Sequence, residues 1–323
     1  MLELTTLGGL AIQRDGEPVT GLATRKVEAL LVYLACTHRP HAREVLGELF
    51  WAERPPERAL GNLRVALTSL RKQLGPYLDI NRDTVAMAPI ADVCLDAAEL
   101  ERHLSAGQAE AAIALYQGEF LAGFSVRGSP AFDDWASLER ERLHRTVIDA
   151  LGELVAVHLG AGTYPEGIAH ARHLLQLDPW QETAHRQLMR LLAYSGQRGA
   201  ALAQYEACHQ VLSDELGMEP ERETTHLYKQ IQAGELERPA PHSQAAATSQ
   251  APTAAVLASR GYELRERVGV GGFGEVYRAH QHAIGRDVAI KVIMPQHAQD
   301  PEFVKRFKTE ARLVARLEHP HIV

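Results

Sequence analysis

The sequence predicts three folded parts: a small α+β domain, an all-α domain of paired helices, and a second, partial α+β segment. Strand-like and helical patterns alternate in residues 1–90, helical patterns alone fill residues 96–235, and strand patterns return around a glycine-rich loop after residue 262. A length of 323 residues accommodates two or three domains of about 100–200 residues each. The fold class is therefore multidomain.

The bulk composition is that of an ordinary globular protein, with 46% hydrophobic and 23% charged residues. The sequence has no apolar run of about 18 residues and no signal-peptide pattern at its start, so a cytoplasmic protein without a membrane segment is expected. The three cysteines, Cys36, Cys94 and Cys208, are scattered and odd in number. This pattern argues against a disulfide framework and is typical of a reducing compartment.

Charge is distributed unevenly along the chain. The net charge is −7, and residues 91–235 carry 22 acidic against 11 basic residues. An acidic segment of this kind does not attract nucleic acid. Any contact with nucleic acid is therefore expected from a local basic patch in the first 90 residues.

The first 90 residues are predicted to form short strands, three helices and a hairpin, in that order. Short alternating runs surround Gly8-Gly9. Apolar stripes at helical spacing predict three helices, over residues 25–36, 43–50 and 56–74. Pro55-Pro56 marks the start of the third helix. Two apolar runs flank Asn81-Arg82-Asp83, which predicts a hairpin.

This order of elements is that of a winged helix-turn-helix, in which the third helix enters the major groove of DNA and the hairpin lies against the backbone. With Leu63 at the centre of the buried stripe, seven polar side chains turn outward or flank the exposed face: Arg58, Asn62, Arg64, Thr68, Ser69, Arg71 and Lys72. The basic side chains suit phosphates, and the small polar ones suit base edges. A solvated amphipathic helix in a bundle remains the alternative interpretation.

Residues 96–235 contain three segments with a shared pattern. Gly107, Gly162 and Gly196 are each followed by an aliphatic residue after six positions and by alanine after seven. The last two glycines lie 34 residues apart, the period of tetratricopeptide helix pairs. The alanines are expected to let paired helices approach closely, and such arrays build concave surfaces that bind a partner. A plain helical bundle is the alternative.

The histidines of this region do not predict a metal site. His170 and His173 lie one helical turn apart, but no third ligand is evident along the sequence. No metal ligand is therefore predicted. Residues 237–258, rich in Ala, Ser, Pro, Gln and Thr, predict a disordered linker.

A series of motifs in the first 235 residues occurs in the order typical of one family. In the N-terminal part they are Leu7-Gly8-Gly9, Arg25-Lys26-x-x-Ala29-Leu30-Leu31-x-Tyr33-Leu34-Ala35, Leu49-Phe50-Trp51 and Ala59-x-x-Asn62-Leu63-Arg64-x-x-Leu67-x-x-Leu70-Arg71. In the helical part they are Leu115-Tyr116-x-Gly118-x-Phe120-Leu121, Trp135, Leu177-Asp178-Pro179 and Glu215-Leu216-Gly217-x-Glu219-Pro220. With these motifs the chain resembles the SARP family of bacterial transcriptional activators.

The resemblance implies a DNA-binding winged helix-turn-helix over residues 1–92 and a bacterial transcriptional activator domain over residues 93–236. It also implies double-stranded DNA and RNA polymerase as partners. Members of the family often bind direct repeats as side-by-side protomers, so a homo-oligomer on DNA is one expectation. A bacterial cytoplasm, at the nucleoid when DNA is bound, is the implied location.

Residues 259–323 resemble the front part of a Hanks-type Ser/Thr protein kinase. The motifs are Gly269-Val270-Gly271-Gly272-Phe273-Gly274-Glu275-Val276, Val288-Ala289-Ile290-Lys291, Phe307-x-x-Glu310 and His319-Pro320-His321-Ile322-Val323. The resemblance implies a partial kinase N-lobe that binds ATP through nine residues: Val268, Gly269, Gly271, Gly272, Phe273, Gly274, Val276, Ala289 and Lys291. Lys291 would pair with Glu310.

The catalytic set of a kinase is incomplete in this sequence. The residues up to Val323 include no catalytic-loop base and no metal-binding aspartate after the lysine strand. This chain alone is therefore expected to be inactive, to bind ATP weakly or not at all, and to use Mg²⁺ only within a full kinase domain.

The leading hypothesis is thus a sequence-specific DNA-binding transcriptional regulator that carries a kinase N-lobe fragment. One alternative is a Ser/Thr protein kinase, in a longer product, with upstream regulatory domains. The other alternative is an interaction protein whose helical repeats bind a partner protein and whose kinase lobe is vestigial.

Overall fold

The computed structural model describes residues 1–89, 92–236, 257, 260–271, 274–282 and 285–293. The chain divides into two compact units, Met1–Pro241 and His242–Val323, and each is described by itself. Most of the predicted linker lies outside the described residues, as do three of the predicted kinase residues: Gly272, Phe273 and Glu310.

The N-terminal part of the first unit consists of three helices and two small sheets. The first sheet contains β1 (Leu2–Thr5), β2 (Ala11–Arg14), β3 (Glu17–Pro18) and, arriving much later in the chain, β7 (Val93–Leu95). The helices are α1 (Arg25–Thr37), α2 (Arg43–Trp51) and α3 (Pro56–Leu74), the last followed by the 3₁₀ turn Gly75–Tyr77. The second sheet contains β4 (His41–Ala42), β5 (Leu78–Ile80) and β6 (Thr84–Met87). The three predicted helices and the predicted hairpin are confirmed.

The order of strands shows how the N-terminus is held. The first sheet has the order β3-β2-β1-β7, and the second has the order β4-β6-β5. Strand β1 pairs antiparallel with β2 and parallel with β7, with Leu2 opposite Val93. The sequence pattern did not predict this parallel pairing, because it joins two short strands that are far apart in the chain.

The rest of the first unit is helical. Its elements are α4 (Asp96–Ser105), α5 (Ala109–Leu115), α6 (Pro130–Ala161), α7 (Tyr164–Leu177), α8 (Glu182–Tyr194), α9 (Arg198–Val211), the π-helical turn Leu212–Leu216 and α10 (Arg222–Ala233). From α6 to α10, each helix packs against the next. None of the described helices is both long and apolar enough to cross a membrane.

The repeat glycines occupy equivalent turns. Gly107, Gly162 and Gly196 lie between the two helices of the pairs α4/α5, α6/α7 and α8/α9, with φ of 72°, 76° and 84°. Only glycine adopts this left-handed conformation without strain, which explains the repeat. The expectation for the alanines was wrong: Ala114 and Ala169 are exposed, so they do not bring helices together.

One hydrophobic core continues from the N-terminal part into the helical part. Phe50 at the end of α2 is fully buried, and its ring centroid lies 5.3 Å from that of Phe132 on α6. Trp135, also on α6, packs edge-on against Tyr33 of α1 at 4.9 Å. Residues of both parts therefore belong to a single buried cluster. The boundary predicted between residues 92 and 93 is not a boundary between separate cores.

Polar contacts reinforce the same junction. The Lys26 ammonium donates hydrogen bonds to the carbonyl oxygens of Phe50 (2.5 Å) and Gly128 (2.8 Å). The Asp96 carboxylate at the start of α4 accepts the backbone N–H groups of Thr6 (2.7 Å) and Leu7 (2.8 Å) and the Thr6 hydroxyl (2.6 Å). It also accepts the N–H of Ala97 at 2.8 Å. One side chain thus fixes the strand end to the helical part.

A buried histidine joins α8 to its neighbours. The His185 side chain donates from Nε2 to the carbonyl oxygen of Pro179 (2.9 Å) and accepts at Nδ1 from the amide of Gln204 (2.7 Å). A neutral imidazole supplies one donor and one acceptor, whereas a protonated ring would point an N–H at the Gln204 amide donor. Burial lowers the pKa of His185, so the folded chain holds this ring neutral.

The free energy of unfolding should therefore fall as the pH drops below about 6.5, the ordinary pKa of a histidine. Because the folded-state pKa of His185 lies below the unfolded value, the unfolded chain takes up the proton first, and stability present at higher pH is lost. Urea unfolding at a series of pH values should show a shallower fall for His185→Gln than for the wild type. Equal slopes in the two proteins would contradict this assignment.

The second unit contains an antiparallel sheet. Strands β8 (Tyr262–Gly271), β9 (Gly274–Gln281) and β10 (Arg286–Ile293) follow one another, and the sheet has the order β10-β9-β8. The strand pattern predicted around the glycine-rich loop is thereby confirmed.

Candidate nucleic-acid interface

The exposed face of α3 carries basic and small polar side chains. Its buried stripe consists of Ala59, Leu63, Ala66, Leu67, Leu70 and Leu74. Six of the seven predicted contact residues are exposed: Arg58, Asn62, Arg64, Thr68, Arg71 and Lys72. Val65, which is 68% exposed, adds an apolar group to the same face. The helical periodicity therefore placed these side chains correctly, and the face combines hydrogen-bonding, apolar and cationic groups.

Ser69 differs from the other six residues. Its side chain is half-buried, and its hydroxyl oxygen accepts a weak hydrogen bond from the backbone N–H of Ala23 at 3.4 Å. Ser69 therefore lies at the edge of the face, against the segment that precedes α1. This contact comes from a part of the chain that the helical periodicity of α3 does not describe.

The charges along α3 match the polarity of the helix. Pro56 and Glu57 occupy its first turn, and Arg71 and Lys72 its last turn. An acidic group near the N-terminus and basic groups near the C-terminus both stabilise a helix through its dipole. The local sequence thus favours a helix that presents positive charge at the end nearest the hairpin.

The hairpin is fixed against α2 and α3 by arginines. Arg71 on α3 donates to the carbonyl oxygen of Ile80 at 3.2 Å. Arg43 on α2 donates to the carbonyl oxygen of Asn81 at 2.6 Å. These bonds hold the hairpin at a set position beside the exposed face of α3.

The hairpin tip presents a basic residue that the sequence reasoning did not select. The Asn81 side-chain oxygen accepts the N–H groups of Asp83 (2.9 Å) and Thr84 (2.7 Å), which closes the turn. Arg82 is exposed at the tip. The central position of Arg82 in the predicted turn was the signal that could have identified it.

The strands of the second unit bring several predicted nucleotide-site residues together. Val276 on β9 lies opposite both Gly269 on β8 and Lys291 on β10. Gly271 at the end of β8 pairs with Gly274 at the start of β9. Ala289 and Lys291 are exposed on β10. Of the remaining predicted residues, the structure places the backbone of Val268 on β8.

Comparison with known families decides what the helical part is. Residues 92–232 match the family described as the bacterial transcriptional activator domain. The chain carries a SARP-type bacterial transcriptional activator domain. This activator domain contains helices α4 to α10. Residues 262–323 match the protein kinase domain. Both family resemblances that the motifs indicated, to a SARP activator and to a protein kinase, are therefore confirmed.

Relatives extend the similarity beyond the activator domain. The regulatory protein AfsR of Streptomyces coelicolor is 30% identical over 271 residues, which cover 78% of this chain and 26% of AfsR. The serine/threonine-protein kinase PknA of Mycobacterium tuberculosis is 42% identical over 71 residues, which cover 22% of this chain and 16% of PknA. The chain thus spans about a quarter of the length of the AfsR protein that it matches.

A solved structure confirms the predicted fold class. Mycobacterium tuberculosis EmbR, determined in complex with a low-affinity phosphopeptide, matches with a TM-score of 0.56 and 23% sequence identity. The match covers 90% of this chain and 78% of the EmbR chain. At this identity the similarity establishes the fold alone.

Proposed function

We propose that this chain is a sequence-specific DNA-binding transcriptional activator, in which α3 enters the major groove and the β5–β6 hairpin contacts the adjacent backbone. The exposed face of α3 is the observation that carries this proposal. Four basic side chains, Arg58, Arg64, Arg71 and Lys72, surround small side chains that can approach base edges. Because residues 91–235 carry twice as many acidic as basic residues, this basic face suits a polyanion better than the activator domain does.

The side chains of α3 divide into two roles. Arg58, Arg64, Arg71 and Lys72 bind phosphates and fix the register on the duplex. Asn62 pairs with the major-groove edge of an adenine, and Val65 contacts a thymine methyl group. Thr68 donates its hydroxyl hydrogen to the carbonyl oxygen of Arg64 at 2.8 Å, which leaves its oxygen as an acceptor for a base donor. Ser69 contributes from the edge of the face.

The hairpin adds a further contact. Arg82 at its tip reaches the phosphate backbone or the minor groove next to the site of α3. The bond from Arg71 to Ile80 supports this role, since it keeps the hairpin and α3 in one arrangement. DNA therefore contacts two elements, helix α3 and the hairpin, at a spacing that this bond fixes.

The activator domain supplies the remaining functions of the regulator. Its helix pairs and acidic surface suit a protein partner rather than DNA, and RNA polymerase is the partner that the domain family implies. Protomers bind side by side on repeated half-sites. This activity takes place in the bacterial cytoplasm, at the nucleoid when DNA is bound.

The DNA-binding proposal is tested by the salt dependence of binding. A duplex selected from a random library by the full chain serves as the probe, and fluorescence anisotropy measures its affinity. If four or five phosphates are contacted, log K should fall with log[salt] at a slope of roughly −4. Arg64→Ala and Lys72→Ala should each reduce the slope by about 1, whereas Asn62→Ala should cost about 1–3 kcal/mol at one base pair.

Arg145 provides the matched control for these variants. It lies on α6, is 69% exposed, and has no place in the proposed interface. Arg145→Ala should therefore leave both the affinity and the slope unchanged. A slope of log K against log[salt] near zero would refute the proposal, as would equal losses of DNA affinity for Arg145→Ala and Arg64→Ala.

A second activity belongs to the β8–β10 segment. The cross-strand arrangement of Gly269, Val276 and Lys291 favours a role as the front of an ATP site, with Lys291 on the phosphates. Residues 259–323 would then be the first part of a kinase domain, and a longer product could be a Ser/Thr protein kinase. Mg²⁺ would enter only with the metal-binding residues of a full domain.

A further inference from the structure

Three helices of the activator domain bring metal-binding groups together. Glu110 lies on α5, His158 near the end of α6, and His170 on α7. One ligand atom from each of these side chains lies within 4.8 Å of the other two. The sequence analysis found no metal site here because it considered neighbours such as His170 and His173, whereas the three residues come from different helices.

His158 is held with one ring nitrogen directed at the cluster. Its Nδ1 lies 2.7 Å from the hydroxyl oxygen of Thr163, and that hydroxyl lies 3.5 Å from the carbonyl oxygen of His158. If the hydroxyl donates to this carbonyl, Nδ1 must carry the hydrogen that it shares with Thr163. Nε2 is then the nitrogen with a lone pair, the arrangement found when a second residue orients a metal-binding histidine.

The Nε2 atom of His158 lacks a hydrogen-bond partner in the described part of the chain, although it is buried. Its nearest carboxylate oxygen, on Glu110, lies at 3.9 Å, too far for a hydrogen bond. Buried polar atoms are almost always satisfied by a partner, an ordered water or an ion. This atom therefore points to a ligand of the cluster.

His170 supplies the second imidazole. Its ring lies nearly parallel to that of His158, with centroids 5.3 Å apart and an interplanar angle of 21°. One of its ring nitrogens lies within 4.8 Å of the ligand atoms of His158 and Glu110, so two imidazole nitrogens and a carboxylate oxygen come together at one point of the domain.

We infer that Glu110, His158 and His170 bind a single Zn²⁺ ion. Two imidazoles and one carboxylate suit Zn²⁺, whereas Mg²⁺ and Ca²⁺ prefer oxygen ligands alone. Ligand atoms around tetrahedral Zn²⁺ stand about 3.3 Å apart, so the three groups close in slightly on binding. Glu110 can make this movement because its side chain is 70% exposed. Water takes the fourth position.

The ion would connect two helix pairs of the activator domain. Glu110 belongs to the pair α4/α5, and both histidines belong to the pair α6/α7. A bound ion would therefore fix the angle between the two pairs. This inference does not depend on DNA binding, and its test contains no DNA.

The test uses the full chain without a histidine tag, stripped of metal with a chelator and titrated with ZnCl₂ by calorimetry. The wild type should bind one equivalent of Zn²⁺. His158→Gln and His170→Gln should lose this binding, and Glu110→Gln should weaken it by more than about 10-fold. Because Glu110 is exposed, its variant keeps the fold even if a histidine variant does not. His209→Gln, which removes a half-exposed histidine paired with Glu219, should bind as the wild type does.

Two further readouts separate a built site from surface binding. Zn²⁺ should raise the thermal midpoint of the wild type and not that of Glu110→Gln, and Co²⁺ should give the visible spectrum of a tetrahedral site. The inference is overturned if the wild type binds no Zn²⁺, or if Glu110→Gln and His170→Gln bind it as tightly as the wild type.

Discussion

Replacing Phe50 with alanine should lower the free energy of unfolding by about 3–5 kcal/mol. Phe50 is fully buried at the junction of α2 and α6. The distances from its ring centroid to the neighbouring ring centroids are 5.3 Å for Phe132, 5.9 Å for Trp51 and 6.2 Å for Tyr33. Truncation leaves a cavity lined by rigid rings that collapse poorly. The loss combines the transfer of the ring to water with the cost of that cavity.

Urea unfolding, monitored by circular dichroism, measures this loss of stability. Leu138→Ala is the matched control, since Leu138 lies on α6 but is 72% exposed, and it should change stability by less than about 0.5 kcal/mol. Because the core is continuous, Phe50→Ala should also shift the unfolding of the N-terminal and activator parts together. A loss below about 1 kcal/mol, or separate transitions for the two parts, would show that the junction is not a shared core.

Replacing Asp96 with alanine should lower the free energy of unfolding by about 2–6 kcal/mol, because two buried donors of Thr6 lose their acceptor. The substitution removes the acceptor of three backbone N–H groups and of the Thr6 hydroxyl. Thr6 is fully buried, so its groups cannot turn to water, and each unsatisfied donor costs about 1–3 kcal/mol. The end of β1 would lose its attachment to α4.

Asp92 offers the control for this variant. It lies just before β7 on the same side of the junction, and its side chain is 78% exposed, so Asp92→Ala should be nearly neutral. The free energy of unfolding of Asp96→Asn should lie between those of Asp96→Ala and Asp92→Ala. The amide keeps one acceptor oxygen but turns an N–H group toward other donors. Equal stabilities for Asp96→Ala and Asp92→Ala by urea unfolding would contradict the assigned role.

The parts of the fold that the sequence predicted are those set by local periodicity. Helix α3 could be placed because its apolar residues repeat on one stripe, and the same geometry fixed which side chains face outward. Likewise, the period of helix pairs could be recognised because Gly162 and Gly196 recur at turns where the left-handed backbone favours glycine. The strands around the glycine-rich loop of the second unit were recognised because their motifs are continuous in the sequence.

The parts that the sequence did not predict depend on contacts between distant residues. The parallel pairing of β1 with β7, the bonds from Asp96 to Thr6, and the burial of Ser69 against Ala23 each join segments that no periodicity relates. The exposed Ala114 and Ala169 show that an aligned repeat does not by itself reveal which residues pack. The Glu110–His158–His170 cluster required three helices to be placed first.

The parallel pairing of β1 and β7 also bears on how the chain is synthesised. Helix α3 is synthesised before β7, and Trp135, which completes the packing around Tyr33, follows α3 by about 60 residues, or roughly 3–12 s at about 5–20 residues per second. During that interval the nascent chain contains α3 without β7 and without the ring of Trp135, both of which contribute to the shared core of the first unit. The packing around α3 would therefore be complete only when the first third of the activator domain has been synthesised.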